Sequence, residues 1–260
     1  MQSMHFHNPV LLQTACDYLA VQPGGHYVDC TLGGGGHAAE IIRRGGRVLG
    51  LDQDPEALTA CPDLTGLTKV QSNFIHLAEV VKAYNWQPVM GILLDLGVSE
   101  HQINTPSRGF SFQTSGSLDM RMDPTLINTA ATLINQLTVD QLAKILRDFG
   151  EIPAAKPLAA KIVSARPLTT TDQLANITGQ KWSRQAFQAL RIAINDELGA
   201  LETVLPQVRE ILAPGGRLVI ISFHSLEDRI VKRYFKDWQS LTPKPITGEK
   251  SSKLRAYVKN

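Results

Sequence analysis

The sequence predicts an α/β chain, a mostly parallel sheet interrupted by a block of helices. Through the first 95 residues, short apolar runs alternate with amphipathic stretches, the rhythm of repeated β-α units. Residues from about Thr125 to Leu212 carry almost no strand signal and are rich in Ala, Leu, Ile and Gln. The β-α rhythm returns at Ala213-Pro214-Gly215-Gly216, so the helical block reads as an insert in one sheet domain.

Each element has its own signal. Val10 to Tyr18 has helical spacing. Tyr27 to Thr31 is a strand running into Gly33-Gly34-Gly35-Gly36, and a helix from His37 to Arg44 stops at Gly45-Gly46. Arg47 to Asp52 is the second strand, and Asp54-Pro55-Glu56 opens a short helix with proline in its first turn. Thr68 to Gln71 is the third strand, followed by a helix from Ile75 to Tyr84. Met90 to Asp95 is apolar throughout, as a strand covered on both faces should be. In the insert, helices start at Thr138 and Thr170, with a break at Arg166-Pro167. Beyond it come a strand from Arg217 to Phe223, a helix from Leu226 to Trp238 and an alternating edge strand from Lys253 to Val258. The expected domains are 1–112 with 206–260 for the sheet and 113–205 for the helical insert.

Composition narrows the class. Of 260 residues, 43% are hydrophobic and 19% charged, which suits a folded chain and argues against global disorder. No apolar run approaches the roughly 20 residues that span a bilayer, and the amino terminus lacks a signal-peptide pattern. Cys16, Cys30 and Cys61 are odd in number and far apart, suggesting neither a disulfide frame nor a metal site, so a cytoplasmic chain without metal is expected. From Arg229 onward nine basic residues face two acidic ones, a net of +7 in a chain whose total is +2. That end is a candidate phosphate contact or a solvated basic face.

Gly33-Gly34-Gly35-Gly36-His37-Ala38 fits the dinucleotide fingerprint G-x-G-x-x-A, with Asp52 at the end of the next strand to accept from ribose hydroxyls. On those residues alone a nicotinamide oxidoreductase is equally well served. Asp29 and Asp95 favour a different ligand. Asp29 ends the strand ahead of the glycines, where it would repel a pyrophosphate but not the cation of S-adenosylmethionine. Asp95 ends the fourth strand in the same crevice, a third acid that fits a ligand with ammonium and sulfonium charges and a ribose.

The longer motifs are more specific. They are His7-Asn-Pro-Val-Leu-Leu12, Asp29 to His37, Leu51-Asp-Gln-Asp-Pro55, Ile92 to Ser99, Arg108-Gly-Phe-Ser-Phe112, Leu118-Asp-Met-Arg-Met-Asp123, Phe187-Gln-Ala-Leu-Arg-Ile192 and Ile221 to Lys232. In this order, over nearly the whole chain, the sequence resembles the family of ribosomal small-subunit RNA cytosine-N4 methyltransferases (RsmH, also called MraW). The resemblance implies a Rossmann-like class I methyltransferase sheet with an inserted small helical domain for RNA recognition. It implies S-adenosyl-L-methionine as donor, and 16S ribosomal RNA or the small subunit as partner. Donor contacts would fall on Gly35, Gly36, His37, Asp52, Phe74, Asp95 and Gln102. The chain departs from the family at Gln180 to Ala186, where a basic, proline-containing segment is usual. It departs also at Gly150-Glu-Ile-Pro-Ala154 and in a shortened loop, Ile246 to Ser252. All three bear on RNA docking more than on donor binding. Neither motif nor composition decides between a monomer and a homodimer.

Methylation at a ring carbon would need a cysteine nucleophile, and none of the three is suitably placed, so transfer to nitrogen is expected. The usual amino-methyltransferase tetrapeptide after the fourth strand is replaced by Asp95-Leu-Gly-Val98. The catalytic candidates are Asp95, Asp119 and His224, with Arg121, Asp123, Ser222 and Ser225 nearby in sequence. Asp119 to Asp123 reads either as an internal ion pair or as an RNA contact, and His224 either as a helix cap or as a proton carrier. An assembly factor that kept the fold, and a methyltransferase acting on protein or a small molecule, remain as rival readings.

Overall fold

Side-chain alternation along parallel strands decides how this chain layers. Residues 9–259 are described in a computed structural model; His7 and Asn8 of the first motif lie outside them. The elements are α1 (Leu12–Leu19), β1 (His26–Asp29), α2 (Gly36–Arg43), β2 (Arg47–Asp52), α3 (Pro55–Ala60), β3 (Leu67–Gln71), α4 (Leu77–Ala83) and β4 (Val89–Asp95). Then come α5 (Glu100–Asn104), α6 (Ala130–Gln136), α7 (Val139–Asp148), α8 (Ala155–Ser164), α9 (Thr171–Asn195) and α10 (Glu197–Ile211). The chain continues with β5 (Leu212–Ser222), α11 (Ser225–Tyr234), β6 (Gln239–Ser240), β7 (Ile246–Thr247) and β8 (Lys253–Val258).

Two compact units divide the chain. One runs to Gly97 and resumes at Leu198; the other is Val98–Glu197. The first holds the sheet, in the order β3-β2-β1-β4-β5-β8-β6, with β7 also on β8. Strands β1 to β5 are parallel and β8 is antiparallel to β5. The expected edge position of β8 is corrected here: it pairs with β5 on one side and with the two-residue strands β6 and β7 on the other. Its four central residues are buried, which alternation in the sequence alone could not distinguish from a half-exposed edge.

Parity separates the sheet's two faces. Val28, Leu49, Leu51, Ile92, Leu94 and Ile220 join one core with α4, α10 and α11. Tyr27, Val48, Leu93, Val219 and Ile221 join the other with α1 and α2. On that second face the fully buried Tyr27 ring needs glycines around it. A Cβ at Gly91 would lie 2.7 Å from its ring and 3.0 Å from Leu19, and one at Gly46 would lie 2.9 Å away. The hydroxyl of Tyr27 accepts the Gln22 N–H at 2.7 Å.

The second unit is helical, α5 to α9, around its own core that includes Leu118, Ile134, Leu146, Ile162 and Leu190. Phe110 and Phe112, expected with the sheet, pack in this helical core, so the unit begins at Val98 where the sequence suggested 113. Thr129, Thr138 and Thr170 each start a helix through a reciprocal capping box. Gly179 (φ 65, ψ 172) kinks α9 into two segments, and the Ser183 hydroxyl bridges the bend by donating to the Gly179 carbonyl at 2.8 Å.

Gly91→Ala should destabilise the first unit by about 1–3 kcal/mol through overpacking against Tyr27. Added to Tyr27→Leu, the same change should cost much less. Urea midpoints of the four proteins check this; equal costs in both backgrounds would contradict the account.

Candidate functional site

Parallel register brings three carboxylates to one edge of one face. Asp29 pairs with Gly50 of β2 and Leu93 of β4. Asp52 and Asp95 each lie two residues further along, so they flank Asp29 and stand about 6–7 Å higher along the strand direction. All three have the parity of the face covered by α1 and α2. Thr31, two residues past Asp29, ties the group together. Its hydroxyl oxygen accepts the Asp95 N–H at 2.7 Å and its own N–H donates to Asp29 Oδ1 at 3.1 Å. Sequence reasoning missed Thr31; its spacing of two from Asp29 was the available signal.

Asp29 is 1% exposed, and among the described residues its Oδ2 has no hydrogen-bond partner. Burial pushes its carboxyl up to about 7, and the charges of Asp95 and Asp52 add to this against the Thr31 N–H. Asp52 is held by backbone donors, Gly33 N–H on Oδ2 at 2.8 Å and Asp54 N–H on Oδ1 at 2.9 Å. Burial still raises it to about 6, with Asp54 adding repulsion. Asp54, 1% exposed, accepts the Glu56 N–H and so caps α3.

The glycine loop carries the positive end of α2 to these acids. Gly35 is the helix N-cap at φ 79, with no side-chain cap. Its lack of a side chain is imposed from inside as well, because a Cβ there would lie 2.5 Å from Cys61 Sγ. A Cβ at Gly36 would lie 2.7 Å from Pro9. His37, in the first turn of α2, is buried with Nε2 3.2 Å from the Val10 carbonyl. A carbonyl only accepts, so in the neutral ring Nε2 carries the hydrogen and Nδ1 does not. That Nδ1 lies 3.8 Å from Asp95 Oδ2, an attractive pair only for the imidazolium. Phe74 opens a 3-10 turn (Phe74–His76) after β3 and is half-buried against the α4 side of the core.

The other candidates are differently engaged. Asp119, in the helical unit, pairs in bidentate fashion with Arg121 at 2.7 and 2.8 Å. Burial alone would raise its carboxyl, but those bonds outweigh it and hold the group low. Arg121 also donates to the carbonyls of Pro124 and Leu126, so the pair braces its loop, while Asp123 accepts the Thr125 N–H. Gln102, in the same unit, accepts the Ser99 N–H in the capping box of α5. His224 is the N-cap of α11, with the Glu227 N–H on its Nδ1 at 3.4 Å and Glu227 Oε1 3.3 Å from Nε2. Ser222 is buried and donates to the Lys253 carbonyl. Burial pushes the thiols of Cys16 and Cys61 up to about 12 and 11, and that of Cys30 well above the usual range, so none is a ready nucleophile.

The sequence profile of the MraW methylase family matches residues 4–258. The chain belongs to that family. Its relatives include proteins named ribosomal RNA small subunit methyltransferase H. The one from Symbiobacterium thermophilum is 48% identical, over 90% of this chain and 81% of its own length. Those from Heliobacterium modesticaldum and Thermomicrobium roseum are 46% and 45% identical, covering 90% and 88% of this chain and 82% and 77% of theirs. Family membership makes the chain a methyltransferase with S-adenosylmethionine as donor, and removes the oxidoreductase alternative. The residues present fit that donor. An unpartnered buried carboxylate oxygen, two further acids on the same edge and an uncapped helix N-terminus answer its ammonium, sulfonium, ribose and carboxylate.

The raised carboxyl of Asp29 has a thermodynamic sign. The folded state holds that proton more tightly than the unfolded one, so its stabilisation is complete below about pH 4. It is lost as pH rises through about 7, at about 1.4 kcal/mol per pH unit between the two values. Asp52 acts in the same direction up to about pH 6. Ligand-free protein should therefore lose stability between pH 5 and pH 8, and Asp29→Asn should lose distinctly less. Urea unfolding of both at the two pH values measures the difference; an equal loss would contradict the burial of this charge.

Proposed function

We propose that this methyltransferase acts in the cytoplasm on the exocyclic N4 of a specific cytosine in the decoding region of 16S ribosomal RNA. The observation that carries the reading is the row of Asp52, Asp29 and Asp95 on one face of the sheet edge, level with a helix N-terminus. The names of the relatives support the RNA substrate. Inert thiols support nitrogen over ring carbon as the acceptor.

In this reading Asp29 meets the donor's ammonium, Asp52 its ribose hydroxyls, and amides around Gly35, Gly36 and His37 its carboxylate. Phe74 lies against the adenine, and Gln102 joins the set by family resemblance. The bound donor supplies an electrophilic methyl group. Cytosine N4 is a poor nucleophile because its lone pair is delocalised into the ring. The protein's task is to align it and to accept a hydrogen bond from N4–H as the nitrogen pyramidalises. Asp95 is assigned that acceptor role. Asp119 and His224 are committed to Arg121 and to the start of α11, so the proton leaves through Asp95 or water. The helical unit Val98–Glu197 is assigned RNA recognition, holding the target base unstacked. Its support is Trp182, which carries the Lys181 ammonium 4.7 Å above its ring and so joins an aromatic surface to a cation.

Mass mapping of small-subunit RNA nucleosides with and without the gene tests the substrate; identical cytosine methylation in both would end the proposal. Asp52→Ala should weaken donor binding by about 1.5–3 kcal/mol, the range for charged hydrogen bonds, and should also lower thermal stability because the Gly33 and Asp54 N–H groups lose their acceptor. Unchanged donor affinity in calorimetry would remove Asp52 from the site.

Asp95→Asn separates the two roles open to that residue. As acceptor for N4–H, it should keep most of its donor affinity and lose turnover. If it serves the donor alone, affinity falls and turnover recovers at saturating donor. A fully active variant would rule out both.

A further inference from the structure

The +7 charge of the last stretch is unevenly available once its partners are traced. Arg255 is taken by Asp228 of α11 at 2.6 Å and Arg233 by Glu202 at 2.8 Å. Lys259 Nζ donates to the carbonyls of Arg209 and Leu212. The acids of α11 are also taken. Glu227 is buried and accepts the N–H groups of Phe223 and His224, while Asp228 faces β8. What lies outward is a row of cations, of which Arg233 already has its partner in Glu202. Arg229, Lys232 and Arg233 recur at i, i+3 and i+4 on α11, Lys236 follows in the turn just past its end, and all four are exposed. Among the described residues, Lys232 and Lys236 make no ion pair.

This row is anchored near the site. Val231 of α11 and Phe235, just past its end, pack into the core, and Phe235 lies against Tyr257 of β8. Arg255 and Tyr257 therefore face α11, and strand alternation puts Lys253 on the same face. Lys253 pairs in register with Ser222, the residue after the one opposite Asp95. It thus stands at the same sheet edge as Asp95 but on the opposite face, two strand spacings or roughly 10 Å away along the edge. From that edge α11 leads its cations away from the crevice.

We propose that Lys253 and the outer face of α11 form a phosphodiester track, holding the RNA backbone that flanks the target base. The proposal rests on the RNA reading above and adds the surface that grips it. Phosphate contacts of this kind fix position without reading sequence, which suits a row of flexible lysines.

The test is the triple variant K232Q/K236Q/K253Q, titrated with labelled small-subunit RNA across a series of salt concentrations. Loss of three single-strand phosphate contacts should reduce the slope of log affinity against log salt by about 2. Donor affinity should stay within twofold and turnover at saturating RNA should be unchanged. An unaltered slope, with the variant folded by thermal melting, overturns the track. Binding to phosphatidylserine vesicles that is lost in the triple variant, with RNA binding intact, overturns it in favour of a lipid surface. Failure of the wild type to methylate cytosine would count against the substrate reading alone, because the salt slope is read without turnover.

Discussion

Like charges crowded at low dielectric are what the rest of this site depends on. Three carboxylates close three adjacent strands on one face, and the central one is almost wholly removed from water. In solution they would separate or take up counterions; here the ladders of β2, β1 and β4 prevent both. The structure answers with fixed dipoles rather than cations. Backbone N–H groups of Gly33, Asp54 and Thr31 point at the acids, and α2 starts beside them. Those dipoles leave a negative, partly satisfied notch, suited in charge to a ligand carrying two positive centres.

Much of this was legible in the sequence because strand ends and turn glycines are local signals. The boundaries of β2, the proline start of α3 and the threonine caps at Thr138 and Thr170 follow from residues within a few positions of one another. Contacts between distant segments were not legible. That β8 lies inside the sheet depends on two-residue strands with no propensity signal of their own. That Phe110 and Phe112 belong to the helical unit depends on which core they meet, not on their spacing. His224 and Asp119 were each consistent with two roles, and only the positions of Glu227 and Arg121 distinguish them.

The glycine loop shows a related limit. From sequence, Gly35 and Gly36 read as room for a ligand. In the fold, Cys61 and Pro9 occupy the space their side chains would need, so internal packing and ligand approach select the same residue type. A glycine in such a loop is therefore weaker testimony to a ligand than the acids around it. Asp29, with a buried oxygen that none of the described residues satisfies, has no packing explanation of that kind.

The ring of Tyr27 lies against Gly25, Gly46 and Gly91, which come from three separate segments of the chain. In a lineage carrying this ring, mutation at any of the three glycines meets it, and replacing the ring removes part of the obstacle at each, while the Gln22 carbonyl, Ile41 and Leu19 keep the rest. The four positions thus form one unit of inheritance, and substitutions there should accumulate jointly and seldom singly. A drift that looks neutral at each codon is constrained in part by one shared side chain.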